Sequence, residues 1–338
     1  VDRNVLEHDL RELLDQARMS DYCPNGLQLE GRPQIRRVLT GVTASQGLID
    51  LAVELNADAI LVHHGLMWKG DPQVVTGFRK VRLKVALGHD LNVFAYHLPL
   101  DKHPDLGNNA QLGKMLGWPS ERVLGDKGLI HFGTLPVPQK LQEIVDRVVS
   151  TLGHRVQVEG EGDPQRLIRT VAWCTGGAPG YVEQAALAGA DLYLTGELSE
   201  PAVHVARECG VSLLGAGHHA TERCGVKALG EWVAQLFGIY FVFHDFFVGR
   251  LLVDELRLAE EQDLATSLCW VVMPDHFHWL IELQQGSLSE LMQRTKSLST
   301  KAVKRATGRT ANLWQQGFHD RALRKEEDLV KLARYVVA

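Results

Sequence analysis

The stretch "IRRVLTGVTASQGLIDLAVELNADAILVHHG", residues 35–65, decides the fold. An apolar run leads into a small-residue turn at 35–45. A helical stretch follows over 46–55, and a second apolar strand, 57–64, ends on His63 and His64. The pattern returns at residues 167–197, "LIRTVAWCTGGAPGYVEQAALAGADLYLTGE": strand, Gly-rich turn, helix, "AD", strand. We read a duplicated unit. The same alternation runs on either side of it. Residues 4–18 have helical spacing, "RLKVALGHD" is a helix, and "LNVFAYHLPLD" (91–101) is a strand. "PAVHVAREC" is a helix, "VSLLGAGHH" a strand, "ERCGVKALGEWVAQLFG" a helix and "IYFVFHD" a closing strand. Strands alternating with helices predict an α/β architecture with largely parallel pairing.

Composition sets the outer bounds. A chain of 338 residues implies two or three domains. No run of eighteen apolar residues predicts a membrane helix, and the charged, amphipathic N-terminus is unlike a signal peptide. Five scattered cysteines without a CxxC pair read as reduced thiols, which points to the cytoplasm. Charge is uneven: residues 1–247 carry a net −6 and residues 248–338 a net +1. Within 284–325, nine basic residues face two acidic ones. That local excess suits a solvated helix face and is compatible with phosphate contact.

The texture changes after residue 247. "GRLLVDELRLAEEQDLATS" reads as one amphipathic helix and "LCWVVMPDHFHWLIEL" as one strand. Three helical segments follow, over 287–306, near 310–325, and in "KEEDLVKLARYVVA", where the pattern breaks off on an apolar run.

Two histidine groupings stand out. In the first, His63 and His64 end a strand, Asp101 follows His97 by four residues at the end of "FAYHLPLD", and His218 and Glu222 are four apart in "GHHATE". Imidazole and carboxylate suit divalent transition metals, and one carboxylate can bridge two ions. Two bound metals can acidify a bridging water and clamp a phosphoryl or carbonyl oxygen. One His at a strand end is usually structural. Three such pieces, each at a strand C-terminus where α/β sheets hold ligands, point to a site.

Residues 1–247 resemble the NIF3 family, dinuclear-metal proteins labelled GTP cyclohydrolase type 2 homologues. The resemblance rests on "DYCPNGLQLEG", "GVTAS", "LVHHGLMWKG", "YHLPLDKHPDLGNNAQL", "AWCTGGA", "LTGELSE" and "GHHATER". It implies two divalent ions (Zn, Mn, Fe or Mg) held by His63, His64, Asp101, His218 and Glu222, with Glu222 bridging. It implies His97 beside them as a proton carrier or hydrogen-bond donor, and a toroidal homo-hexamer. The chemistry implied is that of a metal-dependent hydrolase whose substrate the sequence does not name. The alternative is a non-catalytic, metal-holding scaffold.

The second grouping is His276 and His278, two apart on one strand and so on one face. Alone, such a pair is most often plain strand surface. Its surroundings, "WVVMPDHFHWLIEL", "LSELMQRTKSLSTKAVKRATG" and "LWQQGFHDRALRKEEDLVKLARYVVA", resemble the REP-associated tyrosine transposases, which are IS200-like. That resemblance implies Mg or Mn at His276 and His278, and Tyr335 as the nucleophile that joins single-stranded DNA. Lys296, Lys301, Lys304, Arg305, Arg321 and Arg324 would meet phosphates, and Trp314 and Phe318 would stack on bases. It covers roughly the middle of such a transposase and leaves the histidine strand without a neighbour. Weak DNA binding without efficient cutting is therefore expected. The fold class expected is α/β: duplicated α/β units with mixed sheets, in lobes of about 1–125 and 126–247. A truncated α+β transposase-like fragment follows over 248–338.

Overall fold

The computed structural model describes residues 1–16, 20–125, 127–243, 246–272, 277–307 and 314. The chain divides into two compact units, Val1–His244 and Asp245–Ala338.

The first unit opens with α1 (Arg3–Leu13), whose first turn is capped by the Asp2 carboxylate accepting the Asn4 N–H at 2.9 Å. Then come β1 (Gly26–Leu29), β2 (Arg37–Thr43), α2 (Gln46–Glu54) and β3 (Ala59–His64). Next are α3 (Gly77–Gly88), β4 (Asn92–Ala95), α4 (Leu98–Lys102) and α5 (Asn108–Leu116). Strands β2, β3 and β4 pair in parallel, with β1 antiparallel at one edge. β3 is buried along its length until His64, as expected of a central strand covered on both faces.

A second sheet follows. It uses β5 (Arg122–Leu124), β6 (Ile130–Lys140), β7 (Gln157–Gly160), β8 (Leu167–Cys174), β9 (Leu192–Thr195) and β10 (Ser212–Gly215). Its order is β5-β6-β8-β9-β10-β7, parallel at β8-β9-β10 and antiparallel on both flanks. Helices α6 (Leu141–Leu152), α7 (Val182–Leu187) and α8 (Glu200–Cys209) complete this lobe.

The internal repeat has a structural signature. In β2-α2-β3, the Asp58 carboxylate accepts the N–H groups of Arg36 and Arg37 at 2.7 and 2.9 Å. In β8-α7-β9, Asp191 accepts those of Arg169 and Thr170 at 2.8 and 3.0 Å. Each "AD" places an aspartate that ties the start of its second strand to the start of the first.

The lobes are not contiguous in sequence. β5 lies before residue 125 yet joins the second sheet, while β11 (Tyr240–Phe243) returns to pair with β2 of the first. The connecting helix, α9 (His218–Phe237), explains the crossing. Its Ala220 is buried in the core under β8 and β9, and its Val226, Leu229 and Val233 lie in the core under β2 and β3. A helix of this length spans about 30 Å, so its first turn stands in the second lobe's core and its later turns in the first's.

One boundary is corrected here. The strand expected over 91–101 stops at Ala95, and Asp101 rides on α4. Pro99 is the reason: it breaks a sheet ladder but is tolerated in a helix's first turn, where the missing N–H would be unpaired anyway.

The second unit holds α10 (Phe246–Glu261), β12 (Ala265–Val272), β13 (Phe277–Leu283) and α11 (Leu288–Thr307). The single helix expected over 249–267 ends early. Asp263 takes a left-handed conformation, φ 55°, and "DLATS" turns into β12. The single strand expected over 268–283 is two antiparallel strands, with Trp270 opposite Trp279. The histidine strand thus has a neighbour, β12, contrary to the expectation that it has none. Helix α11 buries Leu291, Met292, Thr295, Ser299 and Val303, a face that repeats every four residues from Leu291, and the core it joins contains Ala259, Ala265 and Leu291.

Candidate metal centre

The five residues of the first histidine grouping converge at the C-terminal end of β3. His63 and His64 are its last residues, Asp101 comes from α4, and His218 and Glu222 from the first two turns of α9. Glu222 is the hub. Its Oε1 stands 3.4 Å from His63 Nε2 and 3.2 Å from His218 Nε2, and its Oε2 3.3 Å from His64 Nε2. Asp101 Oδ1 approaches His63 Nε2 at 3.6 Å. Two overlapping donor sets result, His63/Asp101/Glu222 and His64/His218/Glu222, each able to hold a metal ion.

The other side of each ring is engaged. His63 Nδ1 lies 3.0 Å from the Tyr96 carbonyl oxygen, His64 Nδ1 3.2 Å from Thr43 Oγ1, and His218 Nδ1 2.6 Å from Glu197 Oε1. A carbonyl or carboxylate partner fixes the proton on Nδ1 and aims Nε2 as a lone-pair donor. Asn108 Nδ2 donates to Asp101 Oδ1 at 2.8 Å, and Asn108 Oδ1 accepts the Gly225 N–H of α9 at 3.0 Å. One side chain therefore locks the α4 carboxylate to the helix carrying His218 and Glu222.

The electrostatics fit a cation. His63 Nε2 and Glu222 Oε2 are buried with no hydrogen-bond partner, an arrangement that costs free energy unless something else satisfies them. Burial alone would lower the His63 pKa, but the charges of Asp101 and Glu222 raise it to about 9. Hydrogen bonding to Glu222 raises His218 to about 9 despite its burial. Burial, reinforced by the His63 charge, lowers His64 to about 3. Burial would also raise Glu222, yet the charge of His63 and the hydrogen bond from His218 hold it well below the carboxylate range. Asp101 is pushed up by burial.

His97 sits alongside, its ring centroid 4.9 Å from that of His63 and 5.6 Å from that of His64. Its Nδ1 lies 3.0 Å from Asp21 Oδ1, and its Nε2 lies 3.4 Å from the Tyr22 hydroxyl. Burial would raise Asp21, but hydrogen bonds from His97 and Asn25 hold it far below the usual range. Trp68 and Tyr22 wall this side, with rings 5.3 and 4.9 Å from that of His97.

Sequence reasoning did not single out Asp21, Thr43, Asn108 or Glu197. For Glu197 a signal existed. It stands six residues after Asp191, as His64 stands six after Asp58, so the internal repeat marks it. Gly176 is also required: its φ is +71°, and a Cβ there would run into Glu222 Oε1.

The second grouping is described only in part. His276, Phe318, Arg321, Arg324 and Tyr335 lie outside the described residues. The His278 backbone is in register with Val271. Lys296, Lys301, Lys304 and Arg305 lie on α11, with Lys301 and Arg305 exposed. Trp314 differs from a free stacking platform. Its indole N–H donates to Ser299 Oγ at 3.1 Å, and its ring packs edgewise on Phe277 at 5.4 Å.

Comparison with known proteins separates the two units. Residues 256–337 match the family described as Transposase IS200 like. A Yersinia pestis protein named GTP cyclohydrolase 1 type 2 homolog is 51% identical over 245 residues, 72% of this chain and 98% of its own. A Pseudomonas aeruginosa protein of the same name is 49% identical, over 72% of this chain and 96% of its own. The solved structure of protein ybgI, described as of unknown function, superposes with a TM-score of 0.70 at 43% identity. It covers 72% of this chain and 98% of that one. TTHA1606 from Thermus thermophilus gives a TM-score of 0.67 at 34% identity over the same shares. With residues 2–246 matching its pattern, the chain belongs to the Duf34/NIF3 (NGG1p interacting factor 3) family.

Proposed function

We propose that the first unit is a metal-dependent hydrolase with a dinuclear centre. One observation carries this reading: Glu222 is common to both donor sets, His63/Asp101/Glu222 and His64/His218/Glu222, and its two oxygens both meet histidine nitrogens, as suits a bridging carboxylate. His63 and Asp101 would hold one divalent ion and His64 and His218 the other, sharing Glu222. Ions there would supply Lewis-acid polarisation of a carbonyl or phosphoryl oxygen and acidify water. The chain's own residues do the rest. Asp21 keeps the His97 proton on Nδ1, which leaves Nε2 to take a proton on the substrate side. Tyr22 and Trp68 restrict solvent around that nitrogen. The name shared by the relatives, GTP cyclohydrolase 1 type 2 homolog, is consistent with hydrolytic chemistry.

The test pairs elemental analysis with turnover of a panel of phosphoesters and cyclic amides. His97→Gln should keep its metal and lose about 10²–10⁴-fold in rate. Two metals per chain without metal-dependent turnover of any panel member would favour the scaffold reading.

We further propose that the first unit assembles as a homo-hexamer, and that the second binds single-stranded DNA through α11 without cutting it efficiently. The family supports the first point, and sedimentation of the full chain checks it. The basic residues of α11 support DNA binding. The small core and two-stranded sheet among the described residues argue against cutting, since an error near 1 Å can cost about a hundredfold. A strong covalent protein–DNA band with hairpin DNA and Mg or Mn, abolished by Tyr335→Phe, would overturn this. We place the protein in the cytoplasm. Supporting this, Cys23, Cys174, Cys209 and Cys224 are free thiols, as in a reducing compartment, and among the described residues no helix is long and apolar enough to cross a membrane.

A further inference from the structure

We propose that the cleft beside the metal centre is a separate subsite for a small aromatic ring bearing one anionic group, an aryl phosphate or aryl carboxylate. The proposal deepens the hydrolase reading and rests on it for its meaning as a substrate site. A cavity of about 300 Å³ is lined in part by Leu66, Trp68, Val75, Phe78, Arg79 and Arg82. That is the small end of the range for small-molecule sites. Trp68 is a shared wall. It lines the cavity, and its ring stands 5.6 Å from that of His64 and 5.3 Å from that of His97. A ligand lodged there is one ring away from the metal donors.

The lining specifies the ligand's chemistry. Trp68 and Phe78 offer aromatic surface, and Phe78 is 61% exposed, so its face is available to a guest. Arg79 and Arg82 both lie over the Phe78 ring, at 5.3 and 5.0 Å, but they are not equivalent. Arg79 is held by Asp71 at 2.6 Å, and Asp71 also accepts the Trp68 N–H at 3.0 Å, so that pair is neutral and fixed. Among the described residues Arg82 has no carboxylate partner, and its Nε is buried with no hydrogen-bond partner. The lining therefore keeps one uncompensated guanidinium beside aromatic and aliphatic walls. A guanidinium stacked on a ring with open N–H groups is suited to a phosphate or carboxylate.

The test titrates the full chain with 1-naphthyl phosphate by calorimetry, in metal-loaded and chelator-treated protein. Saturable binding should occur in both states, with 1-naphthol and inorganic phosphate each at least about tenfold weaker. Arg82→Gln should weaken naphthyl phosphate about tenfold or more, the loss of one charge-assisted contact, and leave 1-naphthol unchanged. Phe78→Ala should weaken both. Metal content reports on folding, because neither residue touches the centre. Unchanged affinity in Arg82→Gln overturns the proposal. So does inorganic phosphate binding as tightly as the aryl ester. Binding that vanishes with the metal but survives Arg82→Gln puts the ligand on the ions alone and also overturns it. If Phe78→Ala alters the particle mass in sedimentation rather than ligand affinity, the cleft is instead an interface between copies of the chain. Variant-sensitive binding in protein that never takes up metal would keep the subsite and remove the hydrolase reading.

Discussion

The two units carry histidines in opposite settings. In the first, four of the five proposed ligands are braced: His63 by a carbonyl, His64 by Thr43, His218 by Glu197 and Asp101 by Asn108. The braces come from elements rooted in two large cores that share α9. In the second, the described histidine strand β13 belongs to a two-stranded sheet over a small cluster centred on Ala259, Ala265 and Leu291. A hairpin with so little packed behind it is marginal alone. The contrast teaches that a histidine pattern in sequence specifies chemistry only where the fold supplies a second layer of partners.

The largest effect that sharpens this contrast comes from the hub. Glu222→Ala removes the one group common to both donor sets. Elemental analysis of the full chain should show loss of essentially all metal from the first unit, with DNA binding by the second unchanged. Retention of two ions per chain would break the bridging assignment.

The braces come next. Glu197→Gln removes the charge that orients His218, and Asn108→Ala frees Asp101. Each should weaken metal affinity about 10–100-fold, measured by competition with a chelator, while the fold persists. An effect as large as that of Glu222→Ala would mean that a brace is itself a ligand.

These residues mark the limit of what was legible. The β-α-β repeat, the parallel sheet centres and the five converging candidate residues follow from apolar periodicity and from polar residues at the ends of apolar runs. Both signals are local. The braces have no spacing rule, because Asn108 meets Gly225 and Asp21 meets His97 only after the chain has folded. Pro99 accounts for one misread strand: apolar counting carried the run through a residue that cannot extend a ladder. The interleaved lobes were not legible for a similar reason, since β11's pairing with β2 joins residues some 200 apart.

Acid stability gives a smaller effect, confined to the first unit. His131 is buried, with Nδ1 2.8 Å from Ser120 Oγ and its ring 5.4 Å from that of Trp173. Burial lowers its pKa from 6.5 to about 4. The folded state therefore keeps this ring neutral while the unfolded chain binds a proton below about pH 6.5. Its contribution is fully present above pH 6.5 and is lost as pH falls toward 4, with a slope of at most about 1.4 kcal/mol per pH unit. Thermal melts of chelator-treated protein should show the wild type losing more stability than His131→Gln across that window. Parallel curves would assign the acid sensitivity to other groups.

The smallest effect tests whether the second unit has a working surface. Helix α11 turns Leu291, Thr295, Ser299 and Val303 inward, and this spacing of four leaves Lys301 and Arg305, also four apart, exposed together. Each contact with a single-stranded phosphate releases counterions and adds about 0.7 to the slope of log affinity against log salt. Lys301→Gln and Arg305→Gln should each lower that slope by about this amount, and the double variant by about twice it, measured by anisotropy with labelled hairpin DNA. Metal content of the first unit should not move. Trp314 provides the internal control. Its indole is already spent on Ser299 and Phe277, so Trp314→Phe should leave the salt slope intact and act on the stability of the second unit. A slope that ignores both basic residues would leave α11 a solvated helix face, and the contrast between the units would then be one of function as well as of support.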